Sequence, residues 1–261
     1  MSAEFDRLIN VMERLRGDAG CPWDKEQTHV SLKPFLIEEA YEVLDAIDSQ
    51  KPSSLCEELG DLLFQVIFHA QVAKERGNFN IEAVLDKTSE KMIRRHPHVF
   101  SPGGNAPRSA DAAIGQWEHM KLKEKQENGE RKSLFDGVPK ALPALLLAHQ
   151  VQAKAGRVGF DWKTAKDAFP KIEEEFQEVK AALSEGNTAQ LEAELGDLLF
   201  SIVNVARLLK VNPEEALRKM VNRFITRFKK MEAAAGESGI ESLSTDEMEA
   251  LWEQAKQSEI Y

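Results

Sequence analysis

The sequence predicts an all-α protein built as two tandem helical-bundle domains. Apolar residues recur three and four positions apart through most of the chain, which is the period of an amphipathic helix. No segment shows the convincing alternation of apolar and polar residues that a half-buried strand requires. A group of acidic residues also occurs twice at a constant offset of 136 residues, which indicates two copies of one helical unit.

Length, charge and cysteine content restrict the class of protein. A chain of 261 residues is long enough for two domains, each with its own core. The net charge of −10 argues against a nucleic-acid-binding surface. No stretch approaches the ~20 apolar residues of a membrane span. Cys21 and Cys56 have neither metal-site nor disulfide spacing, so we expect a cytoplasmic location.

The helices predicted for the first half end at recognisable breaks. Pro34 suits the first turn of a helix, whereas His96-Pro97 ends one. Residues 97–109 contain several turn-forming residues and predict a loop. The predicted helices are residues 3–16, 35–47, 55–73 and 81–95, with a further helix around Trp117.

The second half repeats this plan after a polar, turn-rich stretch at residues 126–139, which we interpret as a linker. It separates an N-terminal domain of residues 1–125 from a C-terminal domain of residues 140–261. Pro170 lies 136 residues after Pro34 and predicts a helix start in the same way. The predicted helices are residues 141–155, 170–182, 191–209, 214–235 and 245–257.

The repeated acidic residues are spaced so that they form pairs on one helix face. In the first copy the pairs are Glu39 with Glu42 and Glu58 with Asp61. The second copy repeats them as Glu175, Glu178, Glu194 and Asp197. Like charges so spaced cost about 0.2–0.5 kcal/mol per pair on an exposed helix, and more beside an apolar core. A divalent cation removes that cost, and oxygen ligands favour Mg²⁺, with Mn²⁺ as a substitute.

Basic residues downstream of each acidic group supply the complementary charge. Arg223 and Arg227 lie four positions apart on one predicted helix, where they are placed to clamp phosphate oxygens. Lys91 and Arg95 repeat this spacing in the first half. The alternative interpretation of both pairs is surface ion pairing with neighbouring glutamates.

Two further residues beside the second acidic group are candidates for nucleotide binding. Lys171 is a weaker candidate phosphate ligand of the same type as the arginines. Trp252 is placed either to stack on a base or ribose, or to fill the core.

Several other kinds of site lack their sequence signatures. The chain has no GxxxxGK[ST] phosphate-binding loop and no signature of an activated serine or cysteine nucleophile. His96 and His98 have no further zinc-type ligand nearby in the sequence. The ExxH pairs of a di-iron bundle are also absent.

Taken together, these motifs identify a known family. EExxE followed after a short gap by ExxD resembles the signature of the all-α nucleoside triphosphate pyrophosphohydrolases. The whole chain is similar to two-domain members of that family. The similarity includes the segments LxxVMxRLRGxxGCPWDKEQTH, RRHPHVF and VGFDW.

The resemblance implies a Mg²⁺-dependent enzyme that hydrolyses nucleoside triphosphates to nucleoside monophosphate and pyrophosphate. It also implies that the enzyme accepts many different bases and is a homodimer. The metal ligands that it implies in the second copy are Glu175, Glu178, Glu194 and Asp197. The nucleotide contacts that it implies are Lys171, Glu174, Glu175, Ala193, Asp197, Arg223, Arg227 and Trp252.

By its motif, the first copy is also predicted to bind metal and nucleotide. It keeps the corresponding acidic and basic residues, namely Glu39, Glu42, Glu58, Asp61, Lys91 and Arg95. The residues by themselves favour neither copy as the catalyst. We expect the second copy to be the main catalyst because the activity of the resembled family resides mostly there.

The expected reaction is in-line attack by water on the α-phosphorus, with Arg223 and Arg227 neutralising charge on the leaving pyrophosphate. Glu174 or Glu175 is the expected general base.

Two alternatives to this function stay open. One is a related enzyme for a narrower substrate, such as dUTP or a phosphoribosyl-nucleotide. The other is a non-catalytic helical module whose acidic faces bind a basic partner.

Overall fold

The computed structural model describes residues 2–101, 107–127, 133–236 and 239–258. Across these residues the chain is helical without a strand, which confirms the predicted all-α class. The chain separates into two compact units, Met1–Glu127 and Asn128–Tyr261. None of the described helices combines the length and the apolar character needed to cross a membrane.

The helices of each unit follow one another through short connections. Those of the first unit are α1 (Ala3–Arg16), α2 (Pro22–Glu26), α3 (Lys33–Ser49), α4 (Pro52–Glu75), α5 (Ile81–Arg95), α6 (Pro97–Phe100) and α7 (Ala110–Glu127). Those of the second unit are α8 (Ala144–Arg157), α9 (Ala165–Glu185), α10 (Thr188–Leu208), α11 (Pro213–Ala235) and α12 (Thr245–Gln257), with a 3₁₀ turn at Ile240–Ser242.

The first unit is organised around the hairpin of α3 and α4. Two residues join these helices, and Gln50 takes the left-handed conformation at the end of α3, so the helices pack antiparallel. Helix α1 packs against α4. Met12, Leu32, Ile67 and Phe68 belong to the buried core. The hairpin thus places the first acidic motif beside a packed core.

The second unit repeats this hairpin with α9 and α10. Gly186 supplies the left-handed residue after α9, and the Asn187 side chain caps α10. Helix α8 packs on α10 and α11, and α12 packs on α11. Val203 on α10 and Met231 on α11 are buried. The second acidic motif is therefore carried on the same kind of helix pair.

The predicted start of α9 at Pro170 is wrong. The helix begins at Ala165, because the side chains and backbones of Thr164 and Asp167 cap each other in a reciprocal capping box. Pro170 consequently lies inside the helix. Its ring leaves the Lys166 carbonyl without its usual helical donor, a loss that the cap and the packing of α9 on α10 offset.

Two other predicted segments differ in detail or lie partly outside the described residues. The predicted loop at 97–109 begins with helix α6, because Pro97 suits a first helical turn; its residues 102–106 lie outside the described part. Helix α7 extends into the predicted linker as far as Glu127, and linker residues 128–132 also lie outside the described part.

The capping box of α9 provides a test of this helix start. Replacing Thr164 with Ala removes the acceptor for the Asp167 backbone N–H. We expect the free energy of unfolding to fall by about 1 kcal/mol. Urea denaturation followed by far-ultraviolet circular dichroism measures this change. Thr164→Ser keeps the hydroxyl and is the matched control, so equal stability of the Ala and Ser variants would contradict the assigned cap.

Candidate functional site

Helices α9 and α10 bring three carboxylates of the second unit together. Glu175 comes from α9, and Glu194 and Asp197 come from α10. One oxygen of each lies within 4.8 Å of the oxygens of the other two. Glu175 is only 4% exposed, so its charge has lost most of its contact with water. We call these three residues the second acidic trio; their negative charge favours a bound cation.

Lys171 pairs with the acidic residues of its own helix. Its Nζ lies 2.7 Å from Glu175 Oε1 and 3.0 Å from Glu174 Oε1. The hydrogen bonds to Glu175 and then to Glu174 raise the pKa of Lys171 well above its ordinary value. Lys171 is therefore a stable positive charge at the edge of the second acidic trio.

Glu178 lies outside the second acidic trio but interacts with it. It is exposed on α9, three residues after Glu175. A hydrogen bond with Glu175 is the largest cause that raises the pKa of Glu178, and some desolvation by nearby atoms and the charges of Glu175 and Glu194 add to it. Of the four predicted ligands in this copy, the structure groups three and leaves Glu178 as their neighbour.

The first unit holds a matching group, the first acidic trio of Glu39, Glu42 and Glu58. Burial is the largest cause that raises the pKa of Glu39, and the charges of Asp61 and Glu42 act in the same direction. The pKa of Glu58 is raised too, first by desolvation and then by Glu42, Glu57 and Asp61. Asp61 lies outside this trio and acts on it through its charge.

Sequence reasoning missed Gln65, which contacts the first acidic trio. This side chain is 8% exposed, and its Nε2 donates to Glu39 Oε1 at 3.4 Å. The hydrogen bond lowers the pKa of Glu39 and partly opposes the effect of burial. Gln65 lies four residues after Asp61 on α4, so the helical spacing that pairs the acids also places it on their face.

The predicted phosphate ligands of the second unit occupy two different environments. Arg227 is 6% exposed, and its guanidinium lies over the Trp252 ring at 5.5 Å from the centroid. The ring of Phe224 packs on Trp252 at a centroid distance of 5.1 Å. Arg223 is exposed on α11, with Nη2 at 3.0 Å from Met220 Sδ. Helix α11, which carries both arginines, packs against α10, which carries two residues of the trio.

The first unit contains the same arginine–tryptophan contact with one difference. Arg95 lies over Trp117 at 5.5 Å, the distance that also separates Arg227 from Trp252. Its guanidinium also forms an ion pair with Glu124 at 2.6 Å. A phosphate would have to compete with that carboxylate. Lys91 is half-buried one turn earlier on α5.

The oxygen donors of both trios suit Mg²⁺. Magnesium binds oxygen ligands at about 2.0–2.1 Å, so neighbouring ligands around one ion lie about 3–4 Å apart. The oxygens within 4.8 Å in each trio meet this condition after small side-chain movements. Ala193, a predicted nucleotide contact, is exposed on α10 directly before Glu194 and leaves this edge uncrowded.

Comparison with known proteins connects this geometry to a family. The family model of the MazG nucleotide pyrophosphohydrolase domain matches the chain twice, at residues 27–100 and 163–231. These segments contain both acidic trios and the basic residues of α5 and α11. The chain belongs to the MazG family. The family predicted from the sequence is thereby confirmed.

Relatives of this MazG family member align over nearly its full length. A protein of Thermotoga maritima named nucleoside triphosphate pyrophosphohydrolase/pyrophosphatase MazG is 48% identical over 97% of this chain and 95% of its own. A nucleoside triphosphate pyrophosphohydrolase of Escherichia coli K12 is 42% identical over 98% of both chains. An uncharacterized Bacillus subtilis protein, YabN, is 45% identical over 98% of this chain and 52% of its own.

Lys171 is expected to lower the pKa of Glu178. The positive charge of Lys171 lowers the pKa of Glu178, so its removal in Lys171→Met should raise that pKa further. Carboxyl carbon NMR during a pH titration measures this pKa. Lys166→Met removes an exposed charge earlier on α9 and is the matched control. A pKa of Glu178 that does not change in Lys171→Met would contradict the assigned electrostatics.

Proposed function

We propose that this chain hydrolyses nucleoside triphosphates to nucleoside monophosphate and pyrophosphate in a Mg²⁺-dependent reaction. The second acidic trio, with the Lys171 ammonium beside it, is the observation that carries the proposal. Oxygen ligands for Mg²⁺ next to fixed positive charge suit a polyphosphate substrate. The names of the Thermotoga maritima and Escherichia coli relatives support the same activity.

The second unit is the main catalyst in this proposal because it balances its acidic residues with a cation. Phe35 occupies the position in α3 that Lys171 occupies in α9. The first unit also carries Glu57 where the second has Ala193. The first acidic trio is therefore surrounded by more negative charge. A triphosphate with four negative charges is attracted more strongly to the second unit.

The proposed reaction is attack of water on the α-phosphorus. Mg²⁺ held by the second acidic trio would polarise phosphate oxygens and orient the water. Glu174 lies outside that trio and accepts the proton of the attacking water. The bond between the α-phosphorus and its bridging oxygen breaks, and pyrophosphate leaves. Arg223 and Arg227 bind the charge that develops on the leaving group.

Broad base tolerance is the second part of the proposal. Trp252 and Phe224 form an aromatic group beside Arg227, and their faces suit the base or ribose of any nucleotide. Stacking tolerates different bases because every base has an aromatic face. The proposed enzyme therefore acts on both ribonucleotides and deoxyribonucleotides.

Pyrophosphate release from a panel of nucleoside triphosphates, with and without Mg²⁺, tests the proposed activity. Glu194→Gln removes one carboxylate charge of the second acidic trio and should reduce kcat by about 100-fold. Glu58→Gln, the corresponding change in the first unit, should have a much smaller effect. Glu192→Gln alters an exposed residue of the same helix and is the control.

Unchanged turnover in the variant that combines Glu194→Gln with Glu58→Gln would overturn the proposed reaction. Unchanged turnover in Glu194→Gln alone, or an equal loss in Glu58→Gln alone, would overturn the assignment to the second unit. A melting curve separates the enzyme from a non-catalytic module. Mg²⁺ should raise the melting temperature of the wild-type chain, because ligand binding to the folded state stabilises it. The rise should be smaller in Glu194→Gln.

We also propose that the chain forms a homodimer through the helices that carry the site. Large apolar side chains remain exposed on α10 despite their size, including Leu195 at 44%, Leu199 at 53% and Ile202 at 44%. The neighbouring helix α9 presents Phe176 in the same manner. Apolar surface of this extent is typical of an interface. Contact with a second copy would bury it.

A charge on this surface should prevent dimerisation. Leu199→Glu places a carboxylate on the exposed apolar face of α10, where burial in an interface would be costly. Size-exclusion chromatography with light scattering should give the 29.3 kDa chain mass for this variant and twice that for the wild type. Val158→Glu, at a 66% exposed residue outside these helices, is the control. A monomeric wild-type chain would refute the dimer.

A further inference from the structure

The second unit contains an aromatic-walled cavity that none of the residues proposed for metal binding, proton transfer or phosphate binding lines. Its volume is about 490 Å³, within the range of about 300–1,000 Å³ that is usual for small-molecule sites. Four aromatic side chains line it, namely Phe135, Phe160, Trp162 and Phe200. Phe160 and Trp162 are 83% and 44% exposed, so a ligand can reach them from solvent. The cavity has the size and walls for a flat ring.

Its charged groups neutralise each other. Arg207 donates two hydrogen bonds to the Asp161 carboxylate and a third, of 2.7 Å, to Asn204 Oδ1. A Cβ on Gly156 would come within 2.6 Å of Asp161 Oδ2, so this glycine leaves room for the ion pair. Because the opposite charges are paired, the described lining residues offer no unpaired charge to a triphosphate. The cavity suits an uncharged ligand.

In the first unit, a large core side chain occupies the position that corresponds to Asn204. Phe68 occupies on α4 the position that Asn204 occupies on α10, and it is 2% exposed within the core. The Arg16 guanidinium covers the Phe68 ring at 5.4 Å from its centroid. The smaller Asn204 leaves this space open in the second unit, which also carries the site proposed for catalysis. The cavity is thus a difference between two otherwise similar hairpins.

We propose that this cavity binds an uncharged heteroaromatic ring of the nucleobase class. Such a ring stacks on aromatic walls and is neutral, as the paired charges require. The ring belongs either to the triphosphate substrate, whose ribose would then stack on Trp252, or to a separate nucleoside. Asn204 follows Asp197 by seven residues, about 10 Å along α10, which is near enough for either source. The inference rests on the proposed function only in its choice of nucleosides as ligands.

Fluorine NMR of the full chain labelled with 5-fluorotryptophan tests this binding. The chain has four tryptophans, and Trp162→Phe identifies the Trp162 signal by its loss. Addition of adenosine or uridine should shift the Trp162 signal saturably. Trp23, which lies on α2 of the first unit, is the internal control and should not shift. A Trp162 signal that neither nucleoside moves would overturn the proposal.

Two variants locate the ligand in the cavity. Asn204→Phe introduces the residue that fills the first unit and should weaken nucleoside binding by about ten-fold. Phe160→Ala removes one exposed wall of the cavity and should also weaken nucleoside binding. Because Phe160 is exposed, this variant tests the placement even if Asn204→Phe fails to fold. Equal affinity of a folded variant and the wild type would overturn the placement.

A final titration distinguishes the two ligand sources. A non-hydrolysable triphosphate with Mg²⁺ that shifts the Trp162 signal and blocks adenosine would identify the ring as the base of the substrate. A Trp162 signal that still responds to adenosine in the presence of the analogue would identify a separate nucleoside site. Absence of pyrophosphate release from the wild type would refute the proposed function while leaving the nucleoside titration as an independent result.

Discussion

Repulsion between carboxylates on paired helices is the constraint around which both units are arranged. Each acidic trio holds three oxygens within 4.8 Å of one another. At 4 Å two like charges repel by about 1 kcal/mol in bulk water and by about 4 kcal/mol at an effective dielectric constant of 20. The packing of α3 on α4 and of α9 on α10 holds the trios against this repulsion. Lys171 offsets it in one unit, and Gln65 hydrogen-bonds Glu39 in the other.

The two units share the same helical hairpin but differ in the charge and packing around it. Phe35 and Phe68 make the first unit more apolar at two positions where the second has Lys171 and Asn204. The first unit thereby has a filled core beside a more acidic site. The second has a cation beside its acidic trio and an open cavity further along α10. These exchanges support the proposed difference in function between the copies, although their acidic motifs are the same.

Most of the fold was predictable from the sequence because helical periodicity is a local property. The predicted helices at 3–16, 81–95 and 245–257 agree with α1, α5 and α12 at both ends. The start of α9 was not predictable from Pro170, because the capping pair of Thr164 and Asp167 determines it. The short helices α2 and α6 were also missed, because a single turn has too few residues to show a period.

The sequence by itself determined which acidic residues share a helix face, since positions three and four apart meet on any α-helix. The tertiary structure decided which of them meet across two helices. It grouped Glu175 with Glu194 and Asp197 and left Glu178 at the edge, because that choice depends on how α9 and α10 pack. It also buried Arg227 against Trp252 while leaving Arg223 exposed. Burial depends on neighbouring helices, which the spacing of residues along one helix does not specify.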